Sequence, residues 1–193
     1  MMKYLSRTGV VCLALLLLES CSVLRSKRSA PSDAPEKPAA AVGGGHYINS
    51  TVPAVTIATN GVLADSIVEF AKCLVGVRYK FGSATPEQGF DCSGFISYVF
   101  NHFQIRVPRT SIAFTNAGSP VTLGASRRGD LILFTGTDTT GWKVGHMGII
   151  TQNDHGAVEF IHSASGKSVG VIISPMSDYF KKRLVKVIRV FQQ

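Results

Sequence analysis

Charged residues are few in this chain: 17% of 193, with twelve Asp and Glu against twenty Lys and Arg. The first twenty residues account for part of the shortage. From residue 62 onward, fourteen Lys and Arg meet nine Asp and Glu, a net charge of about +5. That balance suits an anionic cell envelope, whose wall and lipid head groups attract cations. It does not mark a nucleic-acid binder. The basic residues are dispersed except for Lys181-Lys182-Arg183, and no helix-turn-helix or zinc-finger spacing accompanies them. There is no internal repeat, and no apolar run after residue 20 is long enough to cross a bilayer.

Cysteine is scarce too. There are four, with no CxxC pair, which excludes a structural zinc site of the usual kind. Two of them lie at the start of the chain. Lys3 and Arg7 precede the apolar run "VVCLALLLL", and "LESC" ends at Cys21. This is the layout of a targeting segment. The Leu three places before Cys21, with Ser just before it, resembles a bacterial lipobox, although Glu19 departs from the usual small residue. Residues 1–20 are therefore expected to be a lipoprotein-type signal peptide, with Cys21 lipidated. Acyl chains would hold the protein on a membrane at about 0.8 kcal/mol per buried methylene. Only Cys73 and Cys92 then remain in the folded part, and a disulfide between them is expected to be absent.

Residues 21–60 read as the lipidated Cys followed by a flexible linker. "SKRSAPSDAPEKPAAAVGGGH" has too little apolar content to offset ordering entropy. The folded domain is expected over 61–193. Apolar residues at 63, 67, 70, 71, 74 and 75 predict a helix stopped by Gly76. Cys73 lies beside that stripe and reads as a small half-buried side chain. Asp91 is a favoured N-cap for a second helix with Cys92 at its first position. A short third helix is expected within 107–120. The period then changes, and strands are predicted over 129–134, 145–151, 157–162, 169–174 and 184–191. Helices first and strands afterwards indicate an α+β fold, with N-terminal helices packed on an antiparallel sheet. Arg128-Gly129-Asp130 spells an adhesion tripeptide, but reads as an ordinary turn into a strand.

His146 and His162 fall on neighbouring strands. With the turn near "NDHG", residues whose numbers sum to about 308 pair, so His146 faces His162 with Cβ atoms about 4.5–5.5 Å apart. This register needs an odd-length loop or a compensating bulge. Two facing imidazoles and a thiol at a helix start suit nucleophilic catalysis. The helix N-terminus and an imidazolium both favour a thiolate, one His acts as base and later acid, and the second orients it. A structural Cys with two packing histidines, or a metal site of Cys92, His146 and His162, remain alternatives at this point.

"FDCSGF", preceded by "GVRYKFG" and followed by "VPRTS", "RRGDLILF", "GHMGII" and "FIHSASGKSVGVIIS", resembles the NlpC/P60 family of cell-wall cysteine peptidases from about residue 62 to 191. The resemblance is strongest to single-domain, lipid-anchored peptidoglycan endopeptidases of Gram-negative bacteria. It implies a papain-like core and hydrolysis of peptide bonds in peptidoglycan stem peptides or cross-links, with no cofactor and no metal. It assigns Cys92 as nucleophile, His146 as general base and His162 as the orienting residue. Tyr79 and Ser93 are assigned to the oxyanion, with Asp91 beside the nucleophile. The expected partners are peptidoglycan peptides and, through the lipid anchor, a bacterial membrane, most naturally the outer membrane facing the periplasm. A monomer is expected. The competing expectations are a catalytically silent cell-wall-binding lipoprotein, and an amidase or acyltransferase on the same core. Trp142, in the loop 135–145, is expected either to line the cleft or to fold onto the surface.

Overall fold

A computed structural model describes residues 54–137, 141–166 and 169–191, with backbone alone for Val169. The signal segment, Cys21 and the linker up to residue 53 lie outside the described residues. Helix α1 spans Ala64–Lys72, with Asp65 in its first turn and Lys72 in its last, each complementing the helix dipole. It buries Ile67, Val68 and Ala71. It is shorter than its apolar stripe predicts. Leu63 and Val75 stand outside it and are 70% and 50% exposed. The reason is the exit turn: the Gly76 amide donates to Val171 O at 2.9 Å, pulling the chain off the helix axis, and Gly76 takes φ +92. Cys73, expected half-buried, is exposed at this turn.

A small hairpin, β1 (Ala84–Thr85) and β2 (Gly89–Phe90), leads into α2, Cys92–His102. Phe95, Ile96, Val99 and Phe100 on α2 are fully buried. Each contributes about 1.5–3 kcal/mol by leaving water. They pack on one face of a six-stranded antiparallel sheet of order β3-β8-β4-β5-β6-β7. The strands are β3 (Ser119–Val121), β4 (Leu131–Thr135), β5 (Val144–Asp154), β6 (Ala157–Ser165), β7 (Val169–Pro175) and β8 (Leu184–Arg189). The other face is covered as well: Ile132, Phe134, Ile150 and Phe160 pack with Phe180 and Leu184. Covering on both faces explains why β4 reads as an unbroken apolar run and not as an alternation; all five of its residues are buried.

The expected α+β order holds. The third helix is reduced to one 3₁₀ turn, Ser111–Phe114, and the residues after it form β3. Pro120 disguises that strand, and is accommodated because β3 lies at the sheet edge. A last short helix, α3 (Asp178–Lys181), joins β7 to β8. Asp130 is 2% exposed, and its carboxylate accepts from Arg189 Nε at 3.0 Å and Nη2 at 2.7 Å. Its charge serves the fold and not a docking surface.

Candidate active site

The start of α2 is held by a network around one carboxylate. Asp91 Oδ1 accepts from the Gly94 amide at 2.6 Å and the Ser93 hydroxyl at 3.2 Å. Arg109 closes the other side, Nη1 to Oδ1 at 3.1 Å and Nη2 to Oδ2 at 2.8 Å. Burial pushes the Asp91 carboxyl up, but Arg109, the Gly94 amide and Ser93 together outweigh it and hold the group below its ordinary range. The loop before the helix lies close: a Cβ on Gly94 would sit 2.1 Å from Ser83 O, so this position takes glycine.

Removing Arg109 leaves that buried carboxylate without its cation. Arg109→Ala is expected to cost about 1–3 kcal/mol at pH 7, less than a fully buried pair, because the Arg109 side chain is 44% exposed. The sign with pH follows from the depressed folded value. The advantage is complete above the unfolded carboxyl pKa of about 3.9 and is lost as pH falls through the folded one. Urea unfolding at pH 7 and at pH 3 checks this: the wild type and the variant should converge in acid.

Cys92 is partly buried, and its thiol donates to Gly145 O at 3.8 Å. That carbonyl is placed by a bulge. Phe134 pairs with His146 and Thr135 with Val144, so Gly145 is the extra residue on β5. A side chain there would collide with Gly136 Cα at 2.5 Å.

The two histidines meet, but not in the expected register. The turn is two residues, His155 at φ +48 and Gly156 at φ +96, a hairpin geometry that needs φ > 0 at both. Next to it Asp154 pairs with Ala157 and Asn153 with Val158. Continued unchanged, that register would place His146 and His162 on opposite faces of the sheet. A bulge at Thr151 shifts it by one, so that Ile150 pairs with Phe160 and Ile149 with Ile161. His162 then comes opposite Gly148, and His146 is its diagonal neighbour on the same face. His146 Nε2 lies 2.8 Å from His162 Nδ1. Direct opposition is thus replaced by a diagonal contact, permitted because Gly148 has no side chain to intervene. Arg128 braces the bulge. Its Nη1 donates to Thr151 O at 2.7 Å, its Nε pairs with Asp65 at 2.7 Å, and its Nη2 pairs with Glu69.

His162 is buried, and its Nε2 lies 3.0 Å from Ser174 Oγ on β7. For His146 Nδ1 to accept a proton, the chain must run in one direction. His146 Nε2–H donates to His162 Nδ1, and His162 Nε2–H donates to Ser174. Ser174 is a member that sequence reasoning missed. Nothing in "VIISPM" marks it, since its role arises only from the β6–β7 pairing. The His146 and His162 nitrogens that meet are engaged with each other, which argues against the metal alternative. Among the described residues no cluster of three His, Cys, Asp or Glu side chains is arranged to hold a metal.

Burial acts against the thiolate that a helix N-terminus and an imidazolium favour. Burial, and then the Asp91 charge, push the Cys92 thiol up to about 11, against the pull of the Ser93, Cys92 and Met147 amides. Burial, with the Arg183 charge, lowers His146 to about 4. Burial, with His146, lowers His162 to about 3. Burial therefore favours a thiol beside neutral imidazoles over a thiolate–imidazolium pair. The helix N-terminus still contributes its amides, but desolvation is the larger effect. In a Cys73→Ser background, the rate of Cys92 alkylation by iodoacetamide should climb steadily from pH 7 to beyond pH 9. A rate already level between pH 6 and 8 would show a thiolate–imidazolium pair instead.

Tyr79, Cys92, His146 and His162 share one cleft of about 610 Å³. Burial and the nearby Cys92 and Asp91 raise the Tyr79 phenol, so it stays an O–H donor at neutral pH. Ser93 is buried beneath the site, with its amide directed at the sulfur. Trp142 is 36% exposed and is not among the described residues lining this cleft. A second cavity of about 660 Å³, beside Arg127 and Arg189, holds none of these groups.

The sequence pattern of the NlpC/P60 family matches residues 76–189, more than half of the chain. The chain belongs to the NlpC/P60 family. Among its relatives is a γ-DL-glutamyl hydrolase of Bacillus subtilis, 34% identical over 147 residues, covering 75% of this chain and 34% of that protein. The murein DD-endopeptidase MepS/murein LD-carboxypeptidase of Escherichia coli is 37% identical over 120 residues, covering 61% of this chain and 58% of that one. The chain thus spans between about a third and three-fifths of these relatives' lengths. A crystal structure of a lipoprotein-like NLP/P60 protein from Staphylococcus aureus superposes with a TM-score of 0.57 at 26% identity, covering 76% of this chain and 46% of that one. An NlpC/P60 structure from Bacillus cereus gives 0.59 at 24% identity, covering 72% and 41%. The α+β fold is therefore the NlpC/P60 fold.

Proposed function

We propose that this NlpC/P60 chain is an exported cysteine endopeptidase that hydrolyses peptide bonds in peptidoglycan stem peptides or cross-links. The observation that carries the reading is the 2.8 Å contact between His146 and His162 in the cleft that also holds Cys92. The relatives named as a γ-DL-glutamyl hydrolase and a murein DD-endopeptidase support the substrate class.

As Cys92 Sγ attacks the carbonyl carbon, His146 Nδ1 takes the thiol proton, so no free thiolate accumulates. The Ser93 amide and the Tyr79 hydroxyl stabilise the developing oxyanion. His162, fixed by Ser174, holds the His146 ring in place and stabilises its cationic form. The imidazolium then donates its proton to the leaving amine, giving an acyl-enzyme thioester. Water activated by His146 hydrolyses the thioester, releases the new carboxyl group and restores the thiol.

Export rests on the targeting segment at 1–20. Cys21 is the lipidation site that would tether the domain through its linker, at the outer membrane facing the periplasm. Incubation with purified sacculi tests the activity. New muropeptides should appear with the protein, and profiles identical to buffer would overturn the reading. Metabolic labelling with an alkyne fatty acid tests the anchor, since label should depend on Cys21.

A further inference from the structure

Among the described residues that line the cleft around Cys92 and His146, one side chain is charged. There is no Asp or Glu among them, and the only Lys or Arg is Arg183. Arg183 follows α3 at the start of β8, and the chain fixes it firmly. Its amide donates to Phe180 O at 3.0 Å, and its carbonyl accepts from the Thr135 amide at 2.9 Å. Its Nη1 donates to Gly136 O at 2.8 Å, and its Cζ lies 4.5 Å from the centre of the Tyr179 ring. The other well-fixed arginines end on carboxylates: Arg109 on Asp91, Arg128 on Asp65 and Glu69, Arg189 on Asp130. Arg183 ends on none among the described residues. A guanidinium carries five N–H donors in a planar fork matched to a carboxylate. Among the described residues, only the Gly136 carbonyl and the Tyr179 ring engage it, which leaves most of the fork open to a ligand.

We infer that Arg183 is the anchor of a carboxylate-binding subsite on the leaving-group side of the scissile bond. The side follows from position. Tyr79 lines the cleft with Cys92, and Ser93 follows Cys92 at the helix start, where the acyl carbon binds. Arg183 directly precedes Leu184, which pairs with Phe134, and Phe134 pairs in turn with His146, so Arg183 enters the cleft from the side of the group that hands its proton to the leaving amine. A carboxylate bound by Arg183 therefore belongs to the residue that departs. Tyr179 holds the guanidinium plane from one side, so the fork is oriented before substrate arrives, and ordering it costs little on binding. The subsite would favour substrates whose leaving residue bears a free carboxylate, and would disfavour those in which it is amidated.

This inference rests on the peptide-hydrolase reading, and the test separates the two. Two synthetic stem-peptide analogues are used, identical except for a free carboxylate or a carboxamide on the leaving residue. Wild-type kcat/KM should favour the acid by about 10- to 100-fold, the range of a charge-assisted hydrogen bond. In Arg183→Gln the ratio should fall close to one. Arg183→Lys, which keeps the charge but loses the fork, should retain part of it. Because the readout is a ratio on the same protein sample, a change in the acidity of His146 or in folded fraction cancels. Equal wild-type rates, or a ratio unchanged in Arg183→Gln, would overturn the subsite and leave the hydrolase reading standing. Failure of the wild type to cleave either analogue or sacculi would remove both.

Discussion

Cys92→Ala is expected to release no muropeptides from sacculi above the buffer level, a loss of at least about 10⁴-fold. The variant removes the only thiol among the described residues that line the cleft, the atom proposed to form the acyl bond. The effect on folding should be small. The side chain is partly buried against the core and donates one long hydrogen bond, at 3.8 Å to Gly145 O, so the thermal midpoint should stay within a few degrees of wild type. His146→Ala should be about as severe, because a thiol pushed up to about 11 is almost wholly protonated at neutral pH and needs its base within the attacking step. His162→Ala should cost less, about 10³- to 10⁴-fold, as for the orienting member of a triad. Equal activity of Cys92→Ala and wild type would end the nucleophile assignment.

Gly148→Val should damage the site from a position that carries no chemistry. Gly148 lies opposite His162 in the β5–β6 register, on the sheet face that carries both imidazoles. An added Cβ would sit 2.8 Å from Ile161 O, 2.8 Å from Phe160 Cδ2 and 3.2 Å from His162 Cβ. All three atoms belong to β6, the strand paired with β5, so relief must come from shifting β6 or rotating Phe160 or His162. A displacement near 1 Å breaks the alignment of His146 and His162, and about 10²-fold in kcat is expected to go with it. Overpacking should also cost about 1–3 kcal/mol in stability. Kinetics with a denaturant titration separate the two effects. A Gly148→Val protein with wild-type kcat would show that the diagonal contact is not needed.

Much of this architecture is legible in the chain. The 3.6 and 2.0 periodicities place α1, α2 and the five long strands because one face of each must leave water, and that demand is written locally. Asp91 is legible as a cap because an N-cap needs a short oxygen acceptor at one position. What escapes is decided by neighbours distant in the sequence. The early end of α1 comes from a hydrogen bond to β7, about a hundred residues away. The strand at Ser119–Val121 exists because β8 offers it an edge. Ser174 enters the site only because β7 lies beside β6.

The histidine pair shows the boundary most clearly. Sequence alone put His146 and His162 on adjacent strands with a tight turn between them, and named Cys92 at a helix start. It could not place the bulge at Thr151, because a bulge is chosen by the competition between turn geometry and the burial of two sheet faces. That one residue decides whether the imidazoles share a face. The protonation state was likewise beyond the chain's local pattern. Helix dipole and imidazole argue for a thiolate, but desolvation, a property of the whole packed cleft, outweighs them. Sequence determined which groups are available for chemistry; tertiary structure decided how they meet and in which direction burial shifts their acidities.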